Sequence, residues 1–543
     1  MINSNMAPQG MAVTPHHLAS ESALAVLREG GNAISESALA VLREGGNAIE
    51  AMVAAAATIA VVYPHMNGLG GDGFWLIVPP NGDPIAIDAS GAAGELATLE
   101  RYSAYQQIPH RGPQAALTVA GTVGGWEEAL NVARELGENT LPLRRLLTDA
   151  ITYATRGIPV TPSQEAATRA KSNELAEFTD FSDVFIPQGN IPTAGKRFVQ
   201  PQLGQTLTAL AEQGLSSFYR GPLAEKIIID ITAAEIPITA QDLAQYQPKR
   251  RTPLRLCHQQ GEVFNLTPPT QGLVSLAILG LADRKPVAQM SEGQTIHTLV
   301  EATKLAFGLR DQVITDPLWM EHCPQSLLEK EPLDQLAAYI NSEQAANWGS
   351  GRGPGDTVWM GVIDNNGLAV SFIQSIYHEF GSGVLLPTTG IIWQNRGASF
   401  SLDPKHLLAL APGKQPFHTL NPAAARLTDG RTLVYGAMGG DGQPQTQAAV
   451  FIRHIVQGLP LQQAITAPRW LLGRTWGESS DSLKLEARFG AETLDYLRQR
   501  GHQVELLPDF SEVVGHAGAI VRHRNGMLEG AFDPRRNGSA AGY

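Results

Sequence analysis

The spacing of apolar residues changes near residue 357. Before it, apolar positions recur every three to four residues, the spacing of one helix face. This predicts helices over 141–178 with breaks at Pro159 and Pro162, and over 202–213, 222–234, 273–281 and 295–310. Residues 50–63 are apolar nearly all round, which predicts a buried helix. From Thr357 on, single alternation takes over: Val358, Met360 and Val362 against Trp359, Gly361 and Ile363. That is the two-residue period of a strand. Asp364-Asn365-Asn366-Gly367 reads as a turn into a second strand over 368–376. More strands are expected at 391–393, 423–427, 433–437, 513–516, 518–522 and 527–532, with helices at 446–457 and 491–501. Strand runs flanked by helices predict a layered α/β domain.

Glycine then redraws two places. Gly349-Ser350-Gly351-Arg352-Gly353-Pro354-Gly355 joins no regular element and delivers Asp356-Thr357 to the first strand position. A cut between Asp356 and Thr357 would give Thr357 a free α-amine beside its hydroxyl. With a pKa near ~8, that amine can serve as base without a histidine. The plainer reading is a linker entering a hairpin. Gly68, Gly70 and Gly73 form a G-x-G-x-x-G, but here a helix precedes the glycines and a strand, 74–78, follows. A dinucleotide site needs the reverse order, so close packing of strand against helix is expected instead. Residues 20–34 recur without change as 35–49. Each copy predicts a short helix closed by Gly-Gly-Asn. An added fifteen residues would turn the helix face by about 60°, so the second copy is expected to loop out.

Composition narrows the partners. The chain has 543 residues, is 43% hydrophobic and 17% charged, and carries a net charge of −12. These values suit a globular protein and argue against nucleic acid or an anionic membrane as partner. The two cysteines, Cys257 and Cys323, lie in no metal-ligand spacing. With no basic-then-apolar leader and no apolar run beyond thirteen residues (51–63), a cytoplasmic protein is expected.

Several short stretches, in this order, resemble the γ-glutamyltransferase family of N-terminal nucleophile hydrolases. They are Gly45-Gly46-Asn47-Ala48, Gly68-Leu69-Gly70-Gly71-Asp72-Gly73-Phe74, Phe218-Tyr219-Arg220-Gly221, Pro268-Pro269 and Asp356-Thr357. Phe380-Gly381-Ser382-Gly383, Met438-Gly439-Gly440-Asp441-Gly442-Gln443-Pro444-Gln445 and Asp533-Pro534-Arg535-Arg536 continue the match. The resemblance implies a four-layer αββα sandwich and self-cleavage before Thr357. A large subunit (1–356) and a small one (357–543) would then form a heterodimer, alone or as a dimer of such pairs. It also implies Thr357 as nucleophile, Ser375 as the supporting hydroxyl, and the Gly439 and Gly440 N–H groups as oxyanion hole. Taken alone, the two glycines predict only a tight turn. No metal and no organic cofactor are implied.

The departures from the family pattern bear on the substrate. Where the family places an arginine for the substrate α-carboxylate this chain has Ser90, and where it places an acid for the α-amine this chain has Ser399. Arg396 replaces a glutamine, and His418-Thr419 replaces a serine pair. With both ends of the amino-acid clamp missing, γ-glutamyl groups should bind poorly. Arg396, with Tyr377, His378, Ser399, His418 and Thr419 beside it, points to a small anionic amide held by bidentate contact. Oxamate, cleaved to oxalate and ammonia, is the expectation, and bulky Trp359, Tyr377 and Trp393 would keep the pocket small. A longer dicarboxylic acyl amide, glutathione, or an unprocessed and non-catalytic binding role are the alternatives.

Overall fold

The computed structural model describes residues 3–28, 46–137, 141–348, 356–473, 481–535 and 537–543. The loop 349–355, most of the second repeat copy and Arg536 lie outside the described residues. Two seven-stranded sheets, antiparallel at every pairing within them, make up the centre. The first runs Ser539–Gly542, Met11–Thr14, Asp356–Ile363, Ala369–Tyr377, Asp72–Val78, Ile85–Ala89, Lys249–Arg251. The second runs Asn5–Ala7, Leu528–Phe532, Ala517–Arg522, Thr432–Ala437, Ala423–Leu427, Gly261–Asn265, Leu254–His258. Each sheet therefore takes strands from both sides of Thr357. The two segments interleave and are not separate folding units.

Strand alternation builds the layers. Trp359, Ile363, Phe74, Leu76 and Ile373 of the first sheet meet Val434, Ile520 and Ala424 of the second. Their neighbours Val358, Met360, Val362, Trp75 and Ile77 face outward onto the helix Ala48–Val62 and its companions. On the far side, Leu256, Val263, Ala425, Leu433 and Val521 pack on Gly272–Ala282, Glu292–Val313 and Gly442–Phe451. The result is helix, sheet, sheet, helix, the αββα sandwich that the resemblance implies. Trp359 lies in the inter-sheet layer, where a Cβ on Gly361, Gly436 or Gly518 would come within 2.8 Å of its ring. Its bulk therefore fills the core. Trp393 is likewise buried, its Nε1 donating to the Thr118 carbonyl.

Other expectations change in detail. Asn47 does not end a helix; it caps the next one, accepting from the N–H groups of Ile49 and Glu50 while Glu50 closes the capping box. Gly46 N–H donates to the carbonyl of Val26 at 3.1 Å, so the glycine of the second copy closes the helix His17–Arg28 begun by the first. Pro162 starts the helix Pro162–Leu175. The strand expected at 513–516 is a 3-10 turn, Glu512–Val514, capped by Ser511. The glycines of 68–73 approach strand backbones, not a helix: a Cβ on Gly71 would lie 2.1 Å from the Ser375 carbonyl oxygen.

Candidate active site

Thr357 enters the first sheet at an irregularity. Asp356 pairs with Tyr377 and Val358 with Gln374, so Ser375 and Ile376 together oppose the single Thr357. A bulge re-aims side chains at such a point. It brings the Ser375 hydroxyl to the Thr357 end of the hairpin, where that oxygen accepts the Tyr377 N–H at 2.9 Å. Both Thr357 and Ser375 are buried. The Gln443 amide nitrogen approaches the Thr357 hydroxyl to 3.5 Å, and its carbonyl accepts from Asn421 at 3.2 Å. The resemblance includes Gln443 in the stretch from Met438 to Gln445 but assigns it no role. An uncharged amide on a helix buried along its whole length was the available signal.

Gly439 and Gly440 link the strand Thr432–Ala437 to the helix Gly442–Phe451. Their φ values, 121° and 54°, need glycine. The Gly439 carbonyl accepts from Gly442, and the Gly440 carbonyl from Gln443 and the Gln271 amide. Neither glycine N–H donates to a partner among the described residues. Two free donors at a helix N-terminus suit a developing oxyanion.

Arg396 opens a short turn, Arg396–Ser399, and is 2% exposed. It donates to the Phe417 carbonyl at 3.0 Å and to the Thr419 hydroxyl at 3.3 Å. Its guanidinium carbon stacks 3.5 Å over the Tyr377 ring. Tyr377 itself holds a left-handed φ of 79°, a strained conformation for a tyrosine. No carboxylate lies within 4 Å of Arg396 among the described residues. Burial pulls its pKa down to about 10, against the pull of Tyr377, Asp72 and Asp441.

The histidines do not add cations. His418 is fully buried against Phe74, with Nε2 3.1 Å from Asp72 Oδ2. Burial, then Arg396, hold its pKa well below the ordinary value. His378 stacks between Tyr377 and His110 and is also pushed well down, first by burial and then by the charges around it. Both are neutral at pH 7, so Arg396 carries the positive charge of this group. The Ser399 hydroxyl donates to the Arg396 carbonyl at 3.0 Å, bracing the turn. Ser90 is bound into a buried network with Asp88 and Gln415.

His297, Glu301 and His502 place three ligand atoms within 4.8 Å of one another. The two ring nitrogens are only 2.8 Å apart, closer than the roughly 3.3 Å of two ligands on tetrahedral zinc. Glu301 accepts from Lys304 and from Ala346 N–H. The group ties the segment from Asn341 to Ala346 onto the helix Glu292–Val313. Among the described residues no helix is long and apolar enough to cross a membrane.

Comparison with known proteins identifies the family. A family model described as Gamma-glutamyltranspeptidase matches residues 34–543. An oxamate amidohydrolase proenzyme of Klebsiella pneumoniae is 65% identical over 543 residues, covering 100% of both chains. A glutathione hydrolase-like proenzyme of Bacillus subtilis is 39% identical, again over 100% of both. The crystal structure of a cephalosporin acylase from Bacillus halodurans matches with a TM-score of 0.88 at 33% identity, over 100% of this chain and 97% of its own. The Helicobacter pylori gamma-glutamyltranspeptidase matches over 61% of this chain and 91% of its own, with a TM-score of 0.53 at 26% identity. Fold and relatives agree: the chain belongs to the gamma-glutamyltranspeptidase family of N-terminal nucleophile amide hydrolases.

Proposed function

We propose that this chain is a precursor that cleaves itself before Thr357 and then hydrolyses oxamate to oxalate and ammonia. The carrying observation is Arg396, a buried cation with no carboxylate of its own, in a site that lacks the family's amino-acid clamp. The 65% identity to the Klebsiella protein supports the same substrate. Oxamate places a carboxylate directly beside its amide carbon, so an arginine that binds the acid fixes the carbonyl in register with the nucleophile.

In this mechanism the Thr357 hydroxyl, its proton taken by the new α-amine, attacks the amide carbon. Gly439 and Gly440 N–H groups receive the oxyanion, with Gln443 and Ser375 orienting the threonine oxygen. The amine proton passes to the leaving nitrogen, ammonia departs, and water cleaves the oxalyl ester to free oxalate and the hydroxyl. Self-cleavage uses the same hydroxyl on the Asp356 carbonyl. The chain's own subunits are the partner, and a cytoplasmic place suits the substrate. The test is mass analysis for a fragment beginning at Thr357, followed by ammonia release from oxamate, a glutaryl amide and glutathione. Thr357→Ala should abolish cleavage and turnover together. Faster turnover of the glutaryl amide would transfer the assignment to an acylase.

A further inference from the structure

An amide whose carboxylate adjoins the amide carbon has a single bond between its two ends and no slack. A site for it must hold an anion contact and an oxyanion contact at one fixed spacing. The anion contact is Arg396, gripped by the Phe417 carbonyl and the Thr419 hydroxyl, so that residues 417–419 form a strap across the guanidinium. The oxyanion contact is the turn through Gly439 and Gly440. One side chain touches both. The Gln271 amide nitrogen donates to the Gly440 carbonyl at 2.8 Å and to the Thr419 carbonyl at 2.9 Å.

The segment before it sets Gln271 in this place. Thr270 and His418 form a parallel bridge. His418 N–H donates to the Pro269 carbonyl and Gln271 N–H to the His418 carbonyl, each at 2.9 Å. Gln271 is the N-cap of the helix Gly272–Ala282, which is buried along its whole length, yet its side chain makes no capping bond. The side chain is fully buried, and its Oε1 meets no donor among the described residues. Its hydrogen bonding is thus spent on the two carbonyls, and two acceptors admit only this orientation of the amide. Gln271 precedes Thr357 and both carbonyls follow it, so one segment braces the site that the other builds.

We infer that Gln271 is a positioning residue that ties the oxyanion turn to the strap on Arg396, and so sets the register between substrate carboxylate and reacting carbonyl. The strap has a second tie. The Thr419 carbonyl also accepts from Asn421 Nδ2 at 2.8 Å, and that nitrogen donates to Gln443, whose own amide approaches the Thr357 hydroxyl. Altering the Gln271 side chain therefore acts unequally on the two ends. Its backbone N–H still holds His418 and Asn421 still holds Thr419, so the grip on Arg396 persists. The Gly440 carbonyl keeps the Gln443 N–H alone among its described donors, and neither glycine has a Cβ to restrict the turn. Arg310 holds Asp441, one residue on, at 2.8 Å, which keeps the turn folded while its register loosens.

The inference rests on the oxamate reading, and calorimetric binding of oxalate, beside oxamate kinetics, separates the two. Gln271→Met keeps the length of the side chain and removes both donors. Gln271→Glu keeps the shape as well, but turns an oxygen toward two carbonyl oxygens. In the processed enzyme each should lower kcat for oxamate about tenfold or more, the effect of a lost buried hydrogen bond at the turn. KM for oxamate and Kd for oxalate should stay within about twofold, because the charge-assisted grip of Arg396 is kept. Arg396→Gln should show the reverse split, with its cost in KM. Two subunits on a denaturing gel show that a variant has folded and matured. A rise in KM and oxalate Kd that matches the fall in kcat would make Gln271 a prop of the strap and overturn the inference alone. An unchanged kcat, or failure of both variants to mature, overturns it as well. An unaltered enzyme that releases no ammonia from oxamate overturns the oxamate reading and the inference with it.

Discussion

Arg396 and Arg535 are both buried and lie in the same chain segment after Thr357, yet their surroundings are opposite. Arg535 forks onto Glu486 at 2.8 and 2.6 Å and reaches Asp533 at 2.9 Å. Around it Arg488 also holds Glu486, and Arg469 also holds Asp533. Arg396 meets a carbonyl, a hydroxyl and an aromatic face. Burial acts to lower both pKa values, but Glu486 and Asp533 reverse it for Arg535, whereas Arg396 stays depressed at about 10. A buried cation matched by acids holds a fold together. One that no carboxylate among the described residues pairs directly suits the binding of an anionic substrate.

The comparison breaks first on stability. Arg535→Met leaves two buried carboxylates short of a partner and should cost about 3–5 kcal/mol. Thermal melting of the processed enzyme should fall by several degrees. Arg396→Gln should leave the melting temperature unchanged or raise it, because it removes a buried charge that no carboxylate among the described residues pairs directly. Its cost should appear in KM instead. Loss of a bidentate, charge-assisted contact predicts a rise of about 30- to 100-fold for oxamate and little change for a neutral amide. If the two variants melt alike, Arg396 is structural and the distinction is lost.

These two sites were unequally legible in the sequence. Thr357 and the Gly439-Gly440 pair stood out because their chemistry is local: a glycine loop ahead of a strand, and two adjacent residues that must take left-handed φ. Arg396 was visible as a substitution in a resemblance, but its lack of a counter-ion was not. That depends on Asp441 being claimed by Arg310, 131 positions away in sequence. The charge of His418 is not legible in the sequence, because burial against Phe74, from the other end of the chain, decides it. The fold divides the same way. The long helices and the hairpin from 356 to 377 follow from period and turn chemistry. Strands such as Met11–Thr14 and Ser539–Gly542 are short and rich in Ala, Gly, Ser or Thr; they are strands because each pairs with the other, and Met11–Thr14 also with Gly361–Ile363. The interleaving of the two segments around Thr357 has the same origin.

Acid and alkali should separate the regions further, by a smaller amount. Burial opposes ionisation of Glu486, but Arg535 and Arg488 outweigh it and depress its pKa. Its stabilisation is present above the unfolded value near ~4.5 and is lost as pH falls through the depressed one. Asp72 is raised, so its sign is reversed. Its contribution is complete below about 4 and is lost as pH climbs through about 8. Melting curves from pH 3 to 9 should therefore show Glu486→Gln flattening the acid limb and Asp72→Asn removing the decline between about pH 4 and pH 8. A common effect of both on one limb would mean that the clusters are not independent.

The smallest expected effect tests how directly the turn after Arg396 takes part. Ser399 occupies the place where the family keeps an acid for the substrate amine, so a direct contact with substrate is the competing idea. In the structure its hydroxyl donates to the Arg396 carbonyl at 3.0 Å, and the residue is partly exposed. Water can replace a bond of that kind, so Ser399→Ala should forfeit at most about 0.5–1.5 kcal/mol, mainly in the rigidity of the turn. The KM for oxamate should move by less than about twofold, since the strap from Phe417 to Thr419 still holds the guanidinium. A rise as large as that from Arg396→Gln would show Ser399 touching the substrate. Arg396 would then be one half of a two-point clamp, and the contrast with Arg535 would rest on both ends of that clamp.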